Sequence, residues 1–334
     1  MKDQQKLEKL FEKKKGRRDF LSDSIRMFLL GSLFSWPLSS LFGVKIASAE
    51  EEKPTLPAGI KKQSGFSTKP VGPPHPKFKQ FLGESLFFDI TFLRVINAAT
   101  GKVSFSRDKG GGYVGEIEAK AAGLVGKLTS HRSQTYTSTM QVETVNGVDR
   151  LVTGLHTRLT ETTSVKIRSR HRFDYKRNKW YYRRYKNGQK KPIKNWTKTV
   201  PPHTFYDDFV AIFYNFRAGA YGPVDYGKNF TVTTIPYKGV DKFSFSIATK
   251  EEMEKDNDRK WIEGYGDAKY MIKVRIDQKI FGVKAGLAKL LGSKELIPLA
   301  GLVKEATSFG NVYATLRTAN SKGLPPGIDL GPEK

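Results

Sequence analysis

Leu86-Phe87-Phe88-Asp89-Ile90-Thr91-Phe92-Leu93 opens the folded part. Val103-Ser104-Phe105-Ser106 follows after the turn residues Thr100-Gly101, and Tyr113-Val114-Gly115-Glu116-Ile117-Glu118-Ala119 follows after Gly110-Gly111-Gly112. These runs are rich in aromatic and β-branched residues and are parted by turn chemistry at hairpin spacing. Further strands are expected at 133–144, 150–159, 163–175, 229–237, 242–249, 269–280 and 309–317. Nothing alternates strand with helix at the spacing a parallel nucleotide-binding sheet needs. The fold class is therefore mainly β: a curved antiparallel sheet, as a barrel or a half-open barrel.

One clear helix interrupts the strands, over 205–217. Pro201-Pro202 precede it, Thr204 is a good N-cap, and Asp207 and Asp208 sit in its first turn. Phe205, Phe209, Ile212, Phe213 and Phe216 fall on one face, and Gly219 supplies the stop. This face should lie against the concave side of the sheet. A shorter helical turn is expected at Leu124–Leu128.

Outward from this core, residues 50–80 hold Pro54, Pro57, Pro70, Pro73, Pro74 and Pro76 among Gly, Lys and Ser. They read as an extended linker. Residues 319–334 read as a disordered tail for the same reason, which leaves a domain over 81–318.

Residues 1–49 have the order of a secretory signal. Arg17-Arg18, with Phe20-Leu21, is the twin-arginine pattern, an apolar run spans Met27 to Phe42, and Ala47-Ser48-Ala49 is a small-x-small cleavage site. The apolar run is about 16 residues, where a membrane span needs roughly 20. The expectation is a signal cut after Ala49, a periplasmic protein, and the twin-arginine translocase as its export partner. An uncleaved anchor is the alternative. The chain has no cysteine, so lipid acylation, disulfides and thiol chemistry are all excluded.

The chain carries 58 Lys+Arg against 33 Asp+Glu, a net charge of +25. The part after Ala49 keeps 48 basic and 28 acidic residues, a net of +20. Outside the cytoplasm the available polyanions are lipid headgroups, lipopolysaccharide and wall polymers, rather than nucleic acid. The charge concentrates in 166–198, where 14 basic residues face one acid, Asp174. Lys166, Arg168, Arg170 and Arg172 alternate along one strand, so they share a face. Arg183 and Arg184 follow, with Trp180, Tyr181, Tyr182, Tyr185 and Trp196 interleaved. Cations mixed with Trp and Tyr suit an anionic membrane surface or envelope polymer. A long solvated hairpin guarded by its charges fits the same residues.

Catalytic and metal motifs are missing. The five histidines, His75, His131, His156, His171 and His203, form no ligand cluster, and no serine sits in a Gly-x-Ser-x-Gly elbow. Asp207-Asp208 reads as capping chemistry rather than an acid–base pair. No cofactor motif is present, and no pattern specifies an oligomeric state.

Several short motifs in order carry a resemblance. They are Gly83-Glu84-Ser85-Leu86-Phe87-Phe88-Asp89-Ile90, Asn97-Ala98-Ala99-Thr100-Gly101, Gly123-Leu124-Val125 before Ser133–Ser138, and Arg172-Phe173-Asp174. They continue through Tyr214-Asn215-Phe216-Arg217 to Ile297-Pro298-Leu299 and Phe309–Leu316. Over about 83–317 the chain resembles the bacterial exported family called domain of unknown function 3108. It departs from that family at His131-Arg132 and at Leu290-Leu291-Gly292-Ser293. The resemblance implies a fold similar to the half-open β-barrel of the lipoprotein carrier LolA, an envelope location and no assigned reaction. It implies that Phe88, Ile90, Phe92, Phe209, Phe213 and Phe216 line a hollow, while Arg168, Arg170, Arg172, Arg183 and Arg184 are the candidate anion contacts. The expected function is non-enzymatic binding of an apolar, acyl or anionic envelope ligand. The alternatives are an assembly factor that docks a protein partner, and an envelope hydrolase. A cavity of several hundred Å³ favours ligand carriage and a filled core favours scaffolding.

Overall fold

The computed structural model describes residues 73–92, 94, 96–237, 240–256, 265, 268–276, 286–307 and 310–320. The expected signal, most of the linker and the tail beyond 320 lie outside these residues.

A short helix α1 (Pro76–Lys79) is followed by β1 (Ser85–Phe92), β2 (Ile96–Arg107) and β3 (Tyr113–Ala121). Helix α2 (Gly123–Leu128) leads to β4 (Ser133–Val145), β5 (Val148–Glu161), β6 (Lys166–Asp174), β7 (Lys179–Lys186) and β8 (Lys194–Thr199). Then come helix α3 (Phe209–Arg217), β9 (Asn229–Tyr237), β10 (Val240–Ile247), the short helix α4 (Lys250–Glu254) and β11 (Tyr270–Ile276). The last strands are β12 (Gly286–Gly292), β13 (Pro298–Thr307) and β14 (Gly310–Asn320). All fourteen strands form one sheet in the order β8-β7-β6-β5-β4-β3-β2-β1-β14-β13-β12-β11-β10-β9. Strands β1–β4 bury mainly alternate residues, which share one face of the sheet. In β1, Leu86, Phe88, Ile90 and Phe92 are buried while the residues between them are half-buried.

This order pairs the first strand with the last and leaves the middle of the chain, β8 and β9, at the two edges. Residues 200–208 connect those edges. Asp207 bridges β9 at Thr234, donating from its amide to the Thr233 carbonyl at 3.0 Å. Phe173 and Trp180 from β6 and β7, Val200 and Tyr206 from the connection, and Ile235 from β9 form one buried cluster. Side-chain packing thus draws the edges together where strand pairing does not, and the sheet stays a half-open barrel wrapped around α3.

Four expectations are corrected. The linker boundary at 80 falls too late, because Phe78 of α1 is fully buried and Phe81 packs on Phe105 and Tyr214. Helix α3 begins at Phe209 rather than 205, because the preceding residues are held by β9 and by Tyr175. Its N-cap is Asp208, whose carboxylate accepts from the amides of Val210 and Ala211 at 2.8 and 3.2 Å, and not Thr204. The helix is also buried almost all round rather than on one aromatic face. Val210, Ala211 and Tyr214 meet β3–β5, while Ile212 and Phe216 meet β10.

Candidate functional site

Inside the half-barrel lies a cavity of about 180 Å³. Phe209, Ile212, Phe213, Phe216 and Arg217 of α3 form one wall. Phe243 and Phe245 of β10, Ile272 and Val274 of β11, and Ala288, Leu290, Leu291 and Gly292 of β12 form the facing wall. Leu296 and Pro298 complete that side, and Ile117 and Tyr136 reach it from β3 and β4. The lining is almost wholly apolar. Aromatic edges set its shape: Phe209 meets Phe243, and Phe216 meets both Phe230 and Phe245, near right angles at 5.1–5.5 Å.

The expected hollow residues divide into two groups. Phe209, Phe213 and Phe216 are on the cavity wall. Phe88, Ile90 and Phe92 are buried on the same concave face but packed into the core, Phe88 with Leu86 and Val103, Ile90 and Phe92 with Ala98 and Phe216. Of the facing wall, β10 and β11 fall in strands expected from the sequence, whereas β12 was missed, since it is built from Leu, Ala, Gly and Lys without a strand signature.

Arg217 closes one end of the cavity. Its guanidinium makes a two-pronged contact with Glu84 at 2.6 and 2.8 Å, with both side chains nearly fully buried. It also lies over the rings of Phe81 and Phe213 at 4.8 and 5.1 Å.

Beneath the N-terminus of α3 is a polar cluster. Ser138 donates to Asp208 Oδ2 at 2.6 Å and Thr153 donates to the same oxygen at 2.8 Å. His156 Nδ1 lies 3.1 Å from Ser138 Oγ and 3.5 Å from Asp208 Oδ2. Burial raises the Asp208 carboxyl, but His156, Ser138 and Thr153 outweigh it and hold the group below its ordinary range. Its neighbour Asp207 behaves oppositely. Burial pushes Asp207 up to about 6, against the pull of Arg150 at 3.8 Å and of the Tyr221 hydroxyl at 2.7 Å. The Ser138–His156–Asp208 set contains a hydroxyl, a base and a carboxylate. Its hydroxyl is committed to the carboxylate, and none of the three lines the cavity. That geometry is a tie between sheet and helix rather than a nucleophile opening on a cleft. Among the described residues, no three His, Asp or Glu are grouped to hold a metal ion.

The basic strands stand apart from the cavity. The register pairs Arg168 with Tyr185, Arg170 with Arg183 and Arg172 with Tyr181, so these six share the convex face. Two like charges oppose each other directly at Arg170 and Arg183, an arrangement that costs stability unless an anion is near. Arg168, Arg170 and Arg183 are exposed; Arg172 is half-buried with its guanidinium 4.7 Å from the Tyr181 ring. Carboxylates occur only at the ends, where Lys166 pairs with Glu161 and Asp174 faces Lys179. Arg184 departs from the expected group, because its register places it on the concave face. The cavity and the arginine row are therefore on opposite sides of one sheet.

No family model matches the chain, and no curated protein does. Among solved structures it is similar to a β-barrel-like protein of domain of unknown function DUF1849 from Brucella abortus. The identity is 8% and the TM-score 0.38, over 72% of this chain and 98% of that one.

Proposed function

We propose that this chain binds the apolar part of an envelope amphiphile without transforming it, and meets anionic envelope surfaces through its convex arginines. The cavity carries the first half of this reading. An apolar hollow of about 150 Å³ stays dry and takes an apolar guest, and this one, at about 180 Å³, is lined by facing aromatic and aliphatic side chains. Its size suits a short alkyl segment rather than a whole drug-sized ligand, for which 300–1,000 Å³ is usual. The Arg168, Arg170 and Arg183 face supports the second half through charge complementarity. The reading includes export by the twin-arginine translocase, cleavage after Ala49, a periplasmic location and kinship with domain of unknown function 3108, on the residues that carry those resemblances.

A neutral naphthylamine dye tests the cavity. Its fluorescence should rise on binding the protein and fall when decanol competes, and Ala288→Leu, which fills the wall, should abolish the rise. No enhancement with the native chain removes the ligand-binding half. Arg168→Ser/Arg170→Ser/Arg183→Ser should abolish salt-sensitive association with anionic vesicles; no association by the native chain removes the electrostatic half. The small volume favours one second reading, an assembly factor docking a protein partner, and a silent dye assay would leave that reading in place.

A further inference from the structure

Among the described residues, four large apolar side chains are exposed: Leu124, Leu128, Val148 and Ile193. A single exposed apolar residue needs no explanation. Three of these four, however, share one end of the half-barrel. Leu124 and Leu128 are one turn apart on α2, which joins β3 to β4. Ile193 ends the loop that joins β7 to β8. Val148 is at the other end, in the β4–β5 hairpin.

Backbone contacts run along this rim. Thr163, in the β5–β6 turn, donates its amide to the Ser130 carbonyl, just after α2, at 3.1 Å. Asn187, after β7, donates to the Lys166 carbonyl at 2.7 Å, and Ile193 donates to the Arg184 carbonyl at 2.8 Å. The leucines cannot turn inward, because α2 already buries its other side. Val125 belongs to the buried cluster that holds Phe216 and Phe245. A Cβ built on Gly126 would meet the Ala121 carbonyl oxygen at 3.0 Å, so the helix lies hard against the end of β3.

Cations stand among these side chains. Lys127 is on α2, and Lys186, Lys190, Lys191 and Lys194 surround Ile193; all five are exposed, and none pairs with a carboxylate among the described residues. Glu161 is paired with Lys166, and Glu118 with Lys120. Asp241, in β10 across the open seam, is the remaining acid described at this end.

We propose that this rim docks end-on onto an anionic lipid bilayer, with Leu124, Leu128 and Ile193 entering the acyl boundary and the five lysines on the phosphates. The proposal rests on the electrostatic half of the reading above and deepens it, because it names a bilayer rather than a wall polymer and gives the protein an orientation. The convex arginines can attract the chain to any polyanion, but no exposed large apolar side chain stands among them. Apolar side chains mixed with lysines suit an interface that has both a hydrocarbon edge and anionic headgroups.

The chain has no cysteine, so a single introduced one can carry an environment-sensitive nitrobenzoxadiazole label. Labelled Leu124→Cys and Ile193→Cys should brighten on vesicles of phosphatidylethanolamine and phosphatidylglycerol, and nitroxides on the lipid acyl chains should quench them. Val148→Cys at the opposite end and Asn195→Cys on the convex face should do neither. Leu124→Ser/Leu128→Ser/Ile193→Ser should still gather on these vesicles at low salt, but lose about tenfold or more of the partitioning that survives high salt. Quenching at Asn195→Cys without quenching at the rim would overturn end-on docking and leave the electrostatic half standing. So would bound vesicles with no quenching at any position. No association of the native chain with the vesicles would defeat both together.

Discussion

Asp207 and Asp208 are adjacent, equally buried and opposite in ionisation, so they show how neighbours decide a residue's chemistry. Asp208 is surrounded by donors and stays charged; Asp207 is buried with weaker compensation and holds its proton to about 6. In the unfolded chain a carboxyl releases its proton near 3.8. Between those values the native state binds a proton that the unfolded state does not, so the Asp207 contribution to stability is lost as pH rises from about 4 to about 6. The loss is up to about 3 kcal/mol. Urea unfolding across that window should show it, and Asp207→Asn should flatten it; an unchanged slope in the variant would reject the assignment. Asp208→Ala removes the helix cap and strands the Ser138 and Thr153 hydroxyls. It should cost about 2–4 kcal/mol, read from the shift in urea midpoint.

At the scale of elements, α3 sits as close to the sheet as Gly115 allows. A Cβ built on Gly115 would come within 2.3 Å of Val210 and 3.2 Å of Met140, at the point where the helix crosses β3. Gly115→Ala should push the helix outward and cost about 1–3 kcal/mol by overpacking. Thermal melting measures that cost, and a widened cavity should change dye affinity in the same variant. The opposite end of α3 is tied by the buried Glu84–Arg217 pair. Glu84→Gln leaves the guanidinium uncompensated and should cost about 3–5 kcal/mol, a shift in melting temperature that Phe87→Ala at the nearby surface should not produce.

For the whole molecule, the open question of closure rests on a few rings. The sheet's edges meet through Phe173, Trp180, Tyr206 and Ile235, without ladder hydrogen bonds between β8 and β9. Tyr206→Ala should therefore loosen the seam. Amide exchange in β9 and β10 should accelerate, while β2–β4, paired on both sides, should keep their protection. Uniform acceleration across the sheet would mean that the seam contributes only to global stability.

Much of this architecture was legible in the residues themselves. Alternating aromatics in β1–β4, turn glycines between them and the Phe-rich helix all write a period or a stop that local chemistry enforces. Tertiary structure decided the rest. The strands β12 and β13 hold their form because β11 and β14 pair with them, not because Leu, Ala and Lys prefer it. Thr204 lost the cap to Asp208 because β9 and Tyr175 hold the residues between them. The register of long antiparallel ladders set which arginines share a face, and so put the apolar hollow and the convex cations on opposite sides of one sheet. Such facts depend on groups far apart in the chain, and local preference carries no record of them.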